Sequence, residues 1–140
     1  MSTSSLNDFN ARIIEQFRAN GGRVGEPFEN TPLLLLHHTG ARTGTARVNP
    51  VAYLADGDRY VIFASKAGAP TNPDWYHNLR AHPDVTIEVG TDTLKATAHD
   101  VSGEERERLF AVMAERAPNF GEYQRKTDRL IPVIVLEPVG

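Results

Sequence analysis

The chain alternates short apolar runs with tight polar turns, and this pattern predicts six β-strands. The predicted strands cover residues 33–38, 45–55, 59–66, 85–89, 93–99 and 131–137. Three of the five connections between them have hairpin length, which favours antiparallel pairing over a βαβ arrangement. We therefore expect a small antiparallel barrel, open or split, with helices at its corners.

Helical spacing of apolar residues predicts an N-terminal helix that lies on the core. Its apolar positions run from Leu6 to Phe17, and the Asn-Gly-Gly sequence at 20–22 is a stop signal. A polar loop is expected over residues 23–31, further helices over residues 72–81 and 102–117, and a short helix or turn over residues 119–126. Asn72 is expected to cap the first of these further helices. Ser102 and Glu105 are expected to form a capping box at the start of the second.

Length and composition favour one domain over residues 1–140, with a helix at 1–22 and a barrel at 31–140. A chain of 140 residues can bury a core of its own, and it carries no repeat or low-complexity segment. No apolar run approaches the roughly 20 residues that span a bilayer. The first ten residues lack the regions of a signal peptide. Together with the absence of cysteine, these features favour a cytoplasmic protein.

The charge pattern draws attention to the connection between the first two strands. The net charge is −3, which disfavours a general role in nucleic-acid binding. Nevertheless, no acidic residue occurs between Glu29 and Asp56, whereas Arg42 and Arg47 lie within that stretch. Guanidinium groups next to glycines and threonines suit a phosphate. The sequence therefore predicts an anion site here, although a plain hairpin has the same composition.

Three other places combine residues that could serve a site. Ser65 and Lys66 precede a run of small residues, where backbone amides often meet a ligand. Trp75 and Tyr123 are aromatic residues that suit pocket walls, and equally suit ordinary packing. Adjacent His37 and His38 would face opposite sides of a strand, and no ligand pattern surrounds any histidine, so we expect no metal site.

Taken together, these segments resemble the deazaflavin-dependent nitroreductases and F420H2-dependent quinone reductases, actinobacterial proteins that use coenzyme F420. The resemblance rests on the order and spacing of several motifs. They are LLLLHHTGARTG at 33–44, RVNP at 47–50, ASKAGA at 64–69, NPDWYHNL at 72–79 and YQRKTDR at 123–129. The resemblance implies an α+β fold of the FMN-binding split-barrel type, in agreement with the predicted strands.

The resemblance also implies which residues form the site. The cofactor-binding residues would be Arg42, Thr43, Gly44, Arg47, Asn49, Pro50, Ala64, Ser65, Lys66, Gly68, Trp75 and Asn78. Within this set, the residues from 42 to 47 would hold the phosphate region of F420, and Asn49 and Pro50 would lie beside the deazaflavin ring. Tyr123 would face the substrate as a proton donor or orienting group, with Ser65 as a second polar contact.

The implied reaction is hydride transfer from reduced deazaflavin to an electron-poor small molecule such as a quinone, an enone or a nitroaromatic. Two other functions remain open: an FMN-dependent split-barrel oxidoreductase, and a non-catalytic protein that binds a cofactor or lipid. The sequence also leaves open a homodimer and a weak peripheral contact of the N-terminal helix with the inner face of the cell membrane.

Overall fold

A computed structural model describes residues 2–24 and 32–139, with side chains from residue 9 onwards except that of Ala67. Most of the loop predicted over 23–31 lies outside these residues. The strands are β1 (Leu33–Thr39), β2 (Ala46–Asp56), β3 (Arg59–Phe63), β4 (Asp84–Val89), β5 (Asp92–Val101) and β6 (Val133–Pro138). The helices are α1 (Ser2–Ala19), α2 (Asp74–Ala81), α3 (Gly103–Arg116) and α4 (Asn119–Lys126), and a short 3-10 helix covers Lys66–Gly68.

The six strands form a closed antiparallel barrel in the order β1-β2-β3-β6-β5-β4. The predicted antiparallel barrel of six strands is confirmed. The pairing of β1 with β4 is the seam that closes the barrel, and it is short. The two strands pair at only three positions, where Leu35, Leu36 and His37 lie opposite Glu88, Ile87 and Thr86. This pairing closes the sheet, so the open form considered from the sequence is wrong.

Alternation along the strands creates two apolar cores. The inner core fills the barrel and is covered by Tyr76 and Leu79 of α2. The outer core lies between the sheet and the helices α3 and α4. On β3, Ile62 belongs to the inner core, whereas its neighbours Val61 and Phe63 belong to the outer one. Successive residues of a strand point to opposite faces, so one strand supports both cores.

Helix α1 lies on the barrel as the sequence predicted. Ile13 and Phe17 are almost completely buried, and the helix contacts β2. The chain turns away where Gly22 N donates a hydrogen bond to Phe17 O at 2.8 Å. At the end of the helix, Arg18 binds Glu88 of β4. Among the residues that the structure describes, no helix is both long enough and apolar enough to cross a bilayer.

Three predicted local features are corrected by the structure. Strand β3 ends at Phe63 and not at residue 66, because the chain there turns into the 3-10 helix. Asn72 does not cap α2, which has Pro73 at its N-cap. Ser102 occupies the N-cap of α3, but its side chain makes no capping hydrogen bond, so the predicted capping box is absent.

Candidate functional site

The turn between β1 and β2 has a fixed backbone. Gly40 N donates to Thr45 O at 2.8 Å, and Gly44 N donates to Gly40 O at 2.9 Å. The hydroxyl of Thr43 accepts a third hydrogen bond, from Thr45 N at 3.2 Å. Gly44 has a φ of +70°, a conformation that residues with a side chain adopt at a cost. The turn therefore holds its exposed side chains at defined positions.

A groove of about 600 Å³ lies beside this turn. Its lining consists of Gly40, Ala41, Arg42, Thr43, Arg47, Asp74, His77 and Asn78. The volume falls in the range typical of small-molecule sites. Both arginine side chains are exposed, and neither forms an ion pair with any other described residue. Unpaired guanidinium groups on a rigid turn are well suited to bind an anion.

Helix α2 forms the opposite wall of the groove. Asp74, His77 and Asn78 lie at spacings of three and four residues and therefore share one face of the helix. Asp74 and His77 are groove residues that the sequence analysis missed, although their spacing from Asn78 could have indicated them. Asn78 itself is only 6% exposed. Its Oδ1 accepts a hydrogen bond from Ala41 N at 2.8 Å, which holds α2 against the turn.

A buried polar chain continues from Asn78 into the barrel. Asn78 Nδ2 lies 2.9 Å from His38 Nδ1, and His38 Nε2 lies 2.7 Å from Asn49 Oδ1. His38 is 4% exposed. Burial is the main cause that lowers the pKa of His38, so the ring is neutral at neutral pH. This histidine was not among the predicted site residues.

The segment after β3 is held by one arginine that the sequence analysis did not single out. The Arg129 guanidinium donates to the carbonyl oxygens of Ala64 at 3.0 Å, Ser65 at 2.7 Å and Ala69 at 2.9 Å. It also donates to Asn72 Oδ1 at 2.7 Å. Asn72 lies just before α2, so Arg129 connects this segment to the helix that lines the groove.

The backbone is strained where Arg129 holds it. Lys66 has a φ of +47°, and no other non-glycine residue in the described ranges has a positive φ. Such conformations cost about 1 kcal/mol or more and are concentrated at functional sites. Gly68 is buried against α4, where a Cβ atom would lie 2.9 Å from Tyr123 O. The small residue at this position therefore allows α4 to approach the strained segment.

Tyr123 fits both interpretations that the sequence left open, ordinary packing and a site residue. Its ring packs edge-to-face on Phe120 at 5.5 Å in the outer core. Its hydroxyl accepts a hydrogen bond from Asn119 Nδ2 at 2.9 Å, which leaves the hydroxyl proton available for donation. Trp75 likewise packs, half-buried, against the inner core. Both rings therefore have structural roles, and Tyr123 also carries a usable proton.

The predicted site residues fall into two groups. The first lines the groove and contains Arg42, Thr43, Arg47 and Asn78, with Gly44 in the adjoining turn and Asn49 joined to it through His38. The second follows β3 and contains Ala64, Ser65, Lys66 and Gly68, with Tyr123 packed on it. Pro50 is half-buried on β2 next to Asn49, and Trp75 follows Asp74 on α2. Arg129, through Asn72, connects the two groups.

Comparison with known proteins agrees with this arrangement. The family model of F420H(2)-dependent quinone reductases matches residues 11–138. An F420H(2)-dependent quinone reductase of Mycobacterium tuberculosis is 44% identical over an alignment of 124 residues that covers 86% of this chain and 83% of that protein. The solved structure of an F420-H2 dependent reductase (FDR-A) superimposes with a TM-score of 0.70 at 41% identity, over 76% of this chain and 94% of the other.

A second solved structure, described as a domain-swapped dimer, has a TM-score of 0.72 and 37% identity and covers 98% of this chain and all of its own. These matches confirm the predicted family, the barrel fold, the oxidoreductase class and coenzyme F420 as its cofactor. They do not favour FMN, the alternative cofactor considered from the sequence. The chain therefore belongs to the F420H(2)-dependent quinone reductase family.

Proposed function

We propose that this chain binds reduced F420 in the groove beside the β1–β2 turn and directs its hydride to a quinone. The observation that carries the proposal is a pair of exposed guanidiniums, Arg42 on the rigid turn and Arg47 at the start of β2, that line a groove of about 600 Å³. Reduced deazaflavin supplies a hydride from its ring carbon when it is bound. The protein has to hold that ring against the acceptor and to provide a proton.

The groove residues would bind the anionic part of the cofactor. Arg42 and Arg47 contribute charge-assisted donors, and Thr43 and the turn backbone contribute neutral ones. Asp74 on the opposite wall is the one carboxylate among the groove-lining residues, and it would limit how many negative charges fit near α2. Asn49 and Pro50 continue along β2 from this end, so they would meet the ring that extends from the phosphate region.

The segment after β3 would hold the other side of the ring and the acceptor. Ala64, Ser65, Lys66 and Gly68 present a backbone fixed by Arg129 and α4. Trp75 and Asn78 would close the cofactor site from α2. Tyr123 would donate its hydroxyl proton to the acceptor oxygen, because Asn119 occupies only an acceptor position of that hydroxyl. Ser65 would orient the acceptor as a second polar contact, and positioning would supply most of the acceleration.

The same site would accept other electron-poor molecules, and enones and nitroaromatics are the acceptors to compare with quinones. The solved relative that forms a domain-swapped dimer supports a homodimer for this chain as well. A cytoplasmic location, and a weak contact of α1 with the inner face of the membrane, remain predictions. Cell fractionation of the tagged protein would test both of them, since a peripheral contact is released by salt whereas a cytoplasmic protein stays in the supernatant.

Binding of F420 by the purified protein is the direct test of the cofactor site. We expect fluorescence polarisation to show saturable binding, and Arg42→Ala to raise Kd about tenfold, equivalent to about 1.4 kcal/mol. Arg47→Ala should act similarly and should weaken the salt dependence of binding. Arg116→Ala removes an exposed arginine at the end of α3 and should leave Kd unchanged. If all three variants bound F420 with the Kd of the wild type, the assignment of the groove as the cofactor site would be contradicted.

The reaction itself is tested by F420H2 oxidation with a panel of quinones, enones and nitroaromatics. We expect turnover with at least one quinone, and Tyr123→Phe to lower kcat about tenfold to a hundredfold with little change in the Kd of F420. The variant keeps the ring that packs on Phe120 and removes only the hydroxyl. Oxidation of none of the acceptors would exclude the proposed enzyme activity, and an unchanged kcat would exclude Tyr123 as the proton donor.

A further inference from the structure

We propose that His38 is a positioning residue: from inside the barrel it orients the Asn49 carboxamide and, through Asn78, the turn that carries Arg42. This inference rests on the proposed function, since it concerns the same groove. The carrying observation is a continuous buried chain of hydrogen bonds from Ala41 N through Asn78 and His38 to Asn49. The chain spans β1, β2 and α2, which are the elements that form the groove.

The direction of every hydrogen bond in this chain follows from its first member. A backbone N–H can only donate, so the atom of Asn78 that faces Ala41 N is its oxygen. The atom of Asn78 that faces His38 is consequently its NH2 group, and His38 Nδ1 must accept. The ring proton of the neutral histidine therefore resides on Nε2 and is donated to Asn49 Oδ1.

This direction determines what Asn49 can offer to a ligand. Its carboxamide oxygen is engaged by His38, and its NH2 group remains for donation. Asn49 would therefore recognise a ligand atom that accepts a hydrogen bond, such as a carbonyl oxygen or an unprotonated ring nitrogen of the cofactor. Without His38 the carboxamide could rotate by half a turn and present either group, so the preference for an acceptor atom would be lost.

The environment of His38 makes the chain sensitive to pH. Burial is the largest influence and lowers the pKa of His38 below its ordinary 6.5, and the positive charge of Arg47 on β2 and the neighbouring His37 on β1 lower it further. The hydrogen bond to Asn49 and the charge of Asp74 on α2 oppose this change. A proton on Nδ1 would face the Asn78 NH2 group and break the chain, so the ordered groove persists above pH 6.5 and is lost as pH falls through the lowered pKa.

Three variants separate a positioning role from a merely structural one. His38→Phe keeps an aromatic ring but removes both hydrogen bonds, whereas His38→Gln keeps one donor and one acceptor and cannot be protonated. His37→Gln is the matched control, because His37 points to the outside of the same strand and binds Glu88. The measurements are the Kd of F420 from pH 8 down to the lowest pH at which each protein stays folded, the KM and kcat of F420H2 oxidation at pH 7.5, and the unfolding midpoint of each variant.

We expect His38→Phe to raise the Kd of F420 about tenfold at pH 7.5 and to raise KM more than it lowers kcat. His38→Gln should bind within about threefold of the wild type at that pH. It should also lose the weakening at acid pH that the wild type and His37→Gln both show; in His37→Gln the weakening should begin at slightly higher pH, because His37 no longer lowers the pKa of His38. If His38→Phe does not fold, the pH profile of His38→Gln decides by itself.

Two results would overturn the inference. One is wild-type affinity in a folded His38→Phe variant, and the other is an identical pH profile for the wild type, His37→Gln and His38→Gln. Failure of the wild type to bind F420 at any pH would be a different result, because it would overturn the proposed function and not the role of His38 alone.

Discussion

At the scale of single residues, one guanidinium organises the segment that follows β3. The carbonyl oxygens of Ala64, Ser65 and Ala69 face Arg129 and not a neighbouring strand. They belong to irregular backbone, where each carbonyl needs a partner that no sheet ladder supplies. The planar fork of an arginine can satisfy several carbonyls at once, which an ammonium group cannot do with the same geometry. The pKa of Arg129 is lowered by burial, so its charge has given up part of its hydration.

Replacement of Arg129 by lysine keeps the charge and removes the fork. We expect Arg129→Lys to lower the free energy of unfolding by about 2–3 kcal/mol, since hydrogen bonds to charged groups are worth about 1.5–3 kcal/mol each and the lysine can restore only part of them. Urea denaturation measures the loss, and hydrogen exchange should show faster opening of residues 64–69. Arg125→Lys, on the exposed side of α4, is the control and should change neither quantity. Unchanged protection of residues 64–69 would contradict the role of Arg129.

The residues that the sequence could predict are those whose neighbours along the chain share their role. Arg42 and Arg47 were predicted because the two glycines and the absence of carboxylates mark the same short turn. Arg129 was missed because its partners lie about 60 residues away and no periodicity connects them. His38 was an intermediate case, since strand alternation places it on the same face as Leu34 and Leu36. A polar residue in that row was a visible signal of a buried polar network.

At the scale of elements, α1 is attached to the shortest seam of the barrel. Arg18 contacts both carboxylate oxygens of Glu88, at 3.2 and 2.7 Å, and His37 Nε2 lies 2.6 Å from Glu88 Oε2. Glu88 and His37 belong to the two strands that close the sheet. The carboxylate therefore ties a helix and both strands together at one point, while Ile13 and Phe17 supply the apolar contact.

Loss of the Glu88 charge should loosen this attachment. The hydrogen bond from Arg18 is the main cause that lowers the pKa of Glu88 below its ordinary 4.5, with a smaller contribution from His37. A carboxylate with a lowered pKa stabilises the fold above about pH 4.5 and loses that contribution as pH falls through its folded value. We expect Glu88→Gln to lower the free energy of unfolding by about 0.5–1 kcal/mol at pH 7, because half-exposed pairs contribute little.

The effect of the substitution should shrink as pH falls through the lowered pKa of Glu88, because protonation then leaves a neutral side chain at position 88 in both proteins. Urea denaturation of the wild type and Glu88→Gln, at pH 7 and at a series of lower pH values at which both stay folded, measures the difference. Glu137→Gln is the control, because the one described residue that pairs with Glu137 is the exposed His99, at 3.5 Å. A difference that stays constant as pH falls to the onset of acid unfolding would mean that the Glu88 charge does not hold α1.

Element positions could be predicted more fully than their ends. Each of the six predicted strands exists, because alternation and turn residues are local properties of the chain. The end of β3 was wrong because Arg129 and α4, both distant in the sequence, draw residues 64–68 out of the sheet. The capping box was wrong because the pattern Ser-x-x-Glu permits the two hydrogen bonds but does not require them, and the Ser102 side chain makes none to the helix.

At the scale of the whole molecule, the two cores share their strands and should unfold together. On β6, Ile134 and Leu136 belong to the inner core, and Val133 and Val135 to the outer one. Residues of β3 alternate in the same way. Loss of either core would leave apolar side chains of these central strands exposed on one face. We therefore propose that the chain is a single cooperative domain and not a barrel with a separable helical layer.

A matched pair of core substitutions tests this proposal. Ile87→Ala removes a completely buried side chain from the inner core at the seam, and Leu109→Ala removes one from the outer core on α3. Each should lower the free energy of unfolding by about 2–5 kcal/mol.

Unfolding in urea can be followed by two signals. Fluorescence of Trp75 reports the inner core, and far-ultraviolet circular dichroism reports the helices as well. The unfolding transitions followed by the two signals should coincide in both variants, because loss of the packing on one face of a shared strand destabilises the packing on its other face. Separate transitions in Leu109→Ala, with the helical signal lost first, would show that the outer layer unfolds independently and would refute the single-domain proposal.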